Sequence, residues 1–221
     1  MAPQPVQEAD FVATGRRLLV QLEPPLQKIV LARTALLEGP WDATASFHQL
    51  RQARPNALVY LLNHPQWGLW LGATPETLLE QNHQQFKVMS LAGTRPTGSA
   101  GAWGEKEVLE QALVTQFIGA VLGKHCEKLE AKGPYTLAAG AVEHLCTELV
   151  GVSESTSPFH LAEELHPTPA VCGWPTSPAK DWIQRQEGFD RKLYTGYLGP
   201  VTETKAHLMV NLRCVNLFDT H

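Results

Sequence analysis

The chain has 221 residues, a formal net charge of −4, 43% apolar and 18% charged residues, which is enough to build a substantial apolar core. Its 18 Lys and Arg are scattered rather than gathered in a stripe, which argues against a nucleic-acid surface. No apolar run approaches the ~18 residues a membrane span needs, and "MAPQPVQEAD" lacks the basic-then-apolar pattern of a leader, so a cytoplasmic protein is expected.

Residues 6–22 carry helical spacing, and "EPP" at 23–25 stops it. The run "QKIVLARTALL", 27–37, is apolar on both parities and predicts a strand buried on both faces. "WDATASFHQLRQARP" predicts a helix capped by Asp42 and ended before Pro55. Three strand-like runs follow, "ALVYLLN", "WGLWLGA" and "QFKVMSLAG", the first two joined by a hairpin-length turn. The longest helix is expected from about Glu105 to His125. "SPFHLAEEL" and "SPAKDWIQRQ" read as helix starts with a Ser cap and Pro at the first helical position. "HLMVNLRCVNLF" is again strand-like. Hairpin-length turns favour antiparallel pairing, so an α+β fold is expected, without an internal repeat or an interdomain linker.

Four cysteines without close spacing, and nine histidines without HExxH, point to free thiols and exclude a zinc protease of that type. "SLAGTRPTG", 90–98, ends a strand in small residues. It lacks the Gly-Lys-Ser/Thr of a phosphate loop, which leaves a plain turn or a carboxylate cradle. Lys28 opens an apolar run; it either snorkels to water or, if buried, loses proton affinity and can act as a base. Glu76, in "GATPETLL", is either a solvated turn glutamate or a proton donor held against apolar walls. Glu110 lies in line with Val114, Phe117 and Val121 on one helical stripe, where a carboxylate needs a partner such as a metal ion, unless it stays at the surface. His144 sits in an apolar strand-like segment, the usual place of a structural histidine. Arg213 interrupts a strand, where an arginine pairs with a carboxylate of protein or ligand.

The order of these segments is more specific than any one of them. "KIVLAR", "WGLWLGATPETLL", "SLAGTRP", "EVLEQALVTQFI", "AVEHLCTELVG", "ELHPTPAVCGWP", "EGFDRKLYTGYLGPV" and "VNLRCVNL" form a series that resembles the chorismate-utilising enzymes. Within them it is most similar to the isochorismate synthases of menaquinone and siderophore pathways. The resemblance implies a chorismate-binding fold with large antiparallel sheets and helices packed outside, the 221 residues forming one partial domain. It further implies Mg2+-dependent conversion of chorismate to isochorismate. Lys28 matches the family's water-activating base and Glu76 the acid that protonates the departing hydroxyl. Gly93 and Thr94 match substrate contacts of an "LAGT" loop, and Glu110 matches a magnesium ligand, with Gln111 replacing the usual histidine. His144 matches the histidine near the ring hydroxyl, while Tyr194 and Arg213 match holders of a substrate carboxylate. Lys28 together with Ala92 favours water over ammonia as nucleophile, so no glutaminase subunit is expected. Salicylate synthases share both features. Anthranilate or aminodeoxychorismate synthases, or a non-catalytic chorismate-binding module, are the remaining alternatives. Family members continue beyond the "LRC" strand with a Gly-rich strand and a helix bearing a second magnesium-binding glutamate, so the resemblance implies either a fragment of a longer enzyme, the favoured reading, or a short relative with an incomplete metal site.

Overall fold

A computed structural model describes residues 5–218; the first four residues of the stretch read for a leader, and "DTH" at the end, lie outside the described residues. The elements are α1 (Glu8–Gln21), β1 (Lys28–Ile29), α2 (Ala43–Ala53), β2 (Leu58–His64), β3 (Gly68–Thr74), β4 (Thr77–Asn82), β5 (Gln85–Pro96) and α3 (Glu105–His125). They continue as β6 (Lys128–Ala139), β7 (Val142–Val152), α4 (Pro158–Leu165), β8 (Gly173–Trp174), α5 (Thr176–Gln186), β9 (Tyr197–Leu198), β10 (Lys205–Val210) and β11 (Cys214–Leu217).

Strands pair antiparallel throughout, in a six-stranded sheet β6-β7-β5-β4-β10-β9, a three-stranded sheet β11-β3-β2 and the two-stranded β1-β8. This is the expected α+β arrangement. The period-2 alternation of β5 buries Phe86, Val88 and Ser90 on one face. Against that face lies the stripe Val114, Ile118, Val121 and Leu122 of α3. Leu161, Ala162 and Leu165 of α4 close the same core. Each fully buried Leu or Phe there stabilises the fold by about 1.5–3 kcal/mol.

Caps behave as the sequence predicts at two helices: the Asp42 carboxylate accepts from Ala45 N–H, and the Ser157 hydroxyl accepts from Phe159 N–H. All four cysteines are free. Among the described residues no helix is long and apolar enough to cross a membrane.

Four elements differ from expectation. The run 27–37 forms strand only at Lys28–Ile29, because its partner β8 is two residues long and none of the described residues pairs with 30–37 in a ladder. Its double-sided apolarity serves irregular packing instead, and Leu36 and Leu37 are exposed. The segment "SLAGTRP" is not a turn but the end of β5, carrying a bulge between Ala92 and Thr94. The helix expected from a Ser177 cap starts at Thr176, with Pro175 preceding it, so neither Ser177 nor Pro178 holds its predicted position. "HLMVNLRCVNLF" splits into β10 and β11 in different sheets, because residues 211–213 cross between them.

Candidate active site

Lys28 stands where β1 meets β8. Gly173 of β8 approaches so closely that a Cβ there, at φ +147°, would lie 2.2 Å from the Lys28 carbonyl oxygen, so only glycine fits. The strand is fixed from its other side by a buried ion pair, Arg191–Glu187, in which both guanidinium Nε and Nη2 contact the carboxylate. That pair is also wired to the backbone. The Glu187 carboxylate accepts from Ala32 N–H at 2.7 Å, and Arg191 donates to the carbonyls of Val30 at 2.8 Å and Val171 at 3.0 Å. The "EGFDR" segment therefore positions Lys28, a role its residues did not reveal in sequence beyond the i,i+4 spacing of Glu187 and Arg191.

The Lys28 side chain is 16% exposed and its Nζ lies 3.9 Å from Glu110 Oε1. Burial drives the ammonium's proton affinity down from its ordinary value; Glu110 opposes this shift and Lys106 adds to it. Glu110 is half-buried on the stripe of α3, with Val114 and Val121 beneath it in the core. Its neighbour Gln111 is buried: its side-chain NH2 donates to Thr115 Oγ1 at 2.8 Å and Thr147 Oγ1 at 2.6 Å, and Thr115 in turn donates to Ser90 on β5. A neutral amide satisfies that buried position without a charge.

The bulge on β5 brings Gly93 and Thr94 to the same helix. Gly93 adopts φ +72°, and a Cβ there would sit 3.0 Å from Glu107 Cβ, one turn before Glu110. His144, opposite Thr94 in the β5–β7 ladder, places Nδ1 3.1 Å from the Gly93 carbonyl and 2.9 Å from Thr94 Oγ1. A carbonyl only accepts, so a proton on Nδ1 would serve it, and in that tautomer Nε2 is an acceptor. Arg95, next in line, is structural: it pairs with Glu143 at 2.6 Å and stacks over Trp103 at 4.1 Å.

Glu76 lies between β3 and β4, and Arg213 between β10 and β11. They form an ion pair of 2.9 Å, the carboxylate partner that an arginine interrupting a strand requires. The other Glu76 oxygen is 2.9 Å from the Thr74 hydroxyl, which is also 2.5 Å from the Val210 carbonyl. Asn211, 2% exposed, sews this region to the Tyr194 loop: its side-chain amide donates to the Leu193 carbonyl at 2.8 Å and its backbone carbonyl accepts from Thr195 N–H at 2.8 Å. Tyr194 lines a cleft of about 610 Å³ together with Arg191, Thr195 and Gly196. Burial pushes its phenol up from 10, Arg191 opposing, so it remains an O–H donor at neutral pH.

The predicted residues thus fall into contacting groups: Lys28 with Glu110; Gly93 and Thr94 with His144; Glu76 with Arg213; and Tyr194 beside Arg191. The helix α3 joins the first two through Glu107 and Glu110, and Asn211 joins the last two. Thr74, Glu107, Glu187, Arg191 and Asn211 are the participants that local sequence reasoning left out. For a hard divalent ion, Glu110 offers a carboxylate on a half-buried surface with Glu107 three residues away. That donor set fits Mg2+, which takes one or two protein carboxylates and completes its shell with substrate and water oxygens.

A family model described as "Chorismate binding enzyme" matches residues 16–220. Isochorismate synthase EntC of Escherichia coli K12 is 32% identical over 220 residues, covering 92% of this chain and 56% of that protein. Isochorismate synthase MenF of Bacillus subtilis is 31% identical over 191 residues, covering 80% of this chain and 40% of that protein. The structure of MenF, the menaquinone-specific isochorismate synthase of Escherichia coli, superposes with a TM-score of 0.82 at 23% identity. It covers 97% of this chain and 54% of that one, and so shares the fold. The chain spans roughly half the length of these relatives. With nearly its whole length matched and the fold shared, the chain belongs to the chorismate-binding enzyme family.

Proposed function

We propose that these residues belong to an Mg2+-dependent isochorismate synthase that adds water at C2 of chorismate as the C4 hydroxyl leaves. They form one partial chorismate-binding domain of a cytoplasmic protein serving a menaquinone or siderophore pathway. The observation that carries the reading is Lys28: a half-buried amine with lowered proton affinity, fixed by β8 and the Glu187–Arg191 pair, beside a carboxylate suited to a metal. A neutral fraction of that amine takes a proton from the attacking water.

Glu76 supplies a proton to the departing hydroxyl. The Thr74 hydroxyl and the Arg213 guanidinium each hold one oxygen of the Glu76 carboxyl group, which supports a positioned acid here. A substrate carboxylate competes for the Arg213 guanidinium and leaves Glu76 with neutral partners, while the Tyr194 hydroxyl donates to the same carboxylate. His144 Nε2, an acceptor in the Nδ1–H tautomer, receives the ring hydroxyl, and Gly93 and Thr94 line its path. Glu110 would hold Mg2+, which when bound neutralises and orients a ring carboxylate.

The test is product analysis with chorismate and Mg2+, without ammonia or glutamine. It should use both the 221 residues and the chain continued through the Gly-rich strand and last helix of family members. Isochorismate is the expected product. Salicylate would move the assignment within the family, anthranilate or aminodeoxychorismate would overturn water as nucleophile, and chorismate bound without turnover in both forms would mark a binding module.

The proton affinity of Lys28 gives a second expectation. Its amine becomes neutral as pH rises through a value below 10.5, so the acidic limb of kcat/KM rises there. Lys106→Gln removes a cation that lowers that value, so the limb should move to higher pH. Lys106 is largely exposed, so the displacement should shrink as salt is added. A limb that stays in place at low salt would mean that Lys28 is not the group titrating.

A further inference from the structure

A second cluster of metal-ligating side chains lies at the other end of α3. His125 is the last residue of that helix, and His160 and Glu164 lie one turn apart on α4. Both imidazole Nε2 atoms aim at one carboxylate oxygen, Glu164 Oε1, at 2.7 Å from His125 and 3.4 Å from His160. The two rings stand nearly perpendicular, 89°, with centroids 5.2 Å apart. The three ligand atoms all lie within 4.8 Å of one another.

We propose that His125, His160 and Glu164 form a Zn2+ site that clasps the carboxy-terminal end of α3 to α4. With Zn–N and Zn–O bonds of about 2.0–2.1 Å, a tetrahedral ion sets its ligand atoms about 3.3 Å apart. The His160–Glu164 separation already has that value, and the His125–Glu164 pair opens by about 0.6 Å to reach it. Lys124 Nζ, 3.2 Å from Glu164 Oε2, occupies the second carboxylate oxygen and leaves Oε1 for monodentate ligation. The scaffold is stiff, because Ile118, Leu122, Leu161 and Leu165 pack the two helices together in the core.

Two imidazoles and one carboxylate select a borderline-soft ion such as Zn2+ over Mg2+, which takes oxygen ligands. A fourth position stays open to water, since His160 is 57% exposed at its side chain. Fifteen residues of helix, about 22 Å, separate His125 from Glu110, so this site is distinct from the one proposed for Mg2+.

The experiment titrates Zn2+ alone into the 221-residue chain against a chromophoric chelator, with melting temperature read in parallel. One equivalent should bind and raise the melting temperature, since an ion held by the folded state stabilises it by mass action. His160→Ala, at an exposed position, and Glu164→Gln should each weaken that binding by at least about 10-fold and remove the thermal gain; circular dichroism checks that both remain folded. Glu110→Gln should leave it unchanged. Absence of saturable binding, persistence in His160→Ala, or loss in Glu110→Gln would each overturn the site.

Discussion

Lys28→Ala should lower turnover by about 100-fold or more while chorismate affinity falls much less, and Glu76→Gln should do the same. The reasoning is electrostatic and geometric. An amine that desolvation has made easier to deprotonate is a base only while β1 holds it in that half-buried position, and alanine removes it without touching Tyr194 or Arg213. Glutamine at position 76 keeps the size of the carboxyl and a contact to Arg213 but has no acidic proton to give. A 100-fold loss corresponds to about 2.7 kcal/mol of transition-state stabilisation, well within what one proton-transfer group supplies. The measurement is steady-state turnover and chorismate affinity for each variant, in whichever chain length makes product. A Lys28→Ala or Glu76→Gln protein with near-normal turnover would remove that residue from the chemistry.

Glu187→Ala should destabilise the fold by about 3–5 kcal/mol, because the Arg191 guanidinium is then left buried without its counter-charge. For a chain of this length the melting temperature should fall on the order of 10 °C. The loss is not only electrostatic. Ala32 N–H loses its acceptor, and the backbone stretch 28–32 is freed from the side that Gly173 does not hold. Glu187→Gln should recover part of the stability, since an amide oxygen still accepts from Ala32 N–H. A melting temperature for Glu187→Ala within about 2 °C of the parent would show that the pair carries little of the fold's energy.

The likeness of local pattern to local structure was uneven for physical reasons that particular residues make plain. Asp42 and Ser157 cap their helices as read, because a cap bond is made within three residues and needs no tertiary context. The bounds of α3 came out as expected, Glu105 to His125. The run 27–37 was not, since apolarity on both parities says only that both sides are covered. Ladder pairing needs a partner strand, and β8 extends for two residues. The strands β4 and β6 went unread, and β6 is exposed at nearly every position, so its residues carry no alternating pattern.

The sequence by itself determined the family, through an ordered series of segments that no generic fold requires. It also determined the α+β class, the capped helices, the free thiols, and the residue types able to act as base, acid, metal ligand and carboxylate clamp. It left Lys28, Glu76, Glu110, His144 and Arg213 each with a plain structural alternative, because one residue's neighbours in sequence do not fix its neighbours in space. The tertiary structure supplied those neighbours. It set Lys28 3.9 Å from Glu110 across 82 positions of chain, Arg213 2.9 Å from Glu76, and His144 under the Gly93 carbonyl at a bulge. It also decided that Arg191 and Glu187, unremarked as a pair, are what holds Lys28 in place. Burial, ion pairing and a tautomer depend on distance and on exclusion of water, and both exist only once the sheets and helices have closed around the residues.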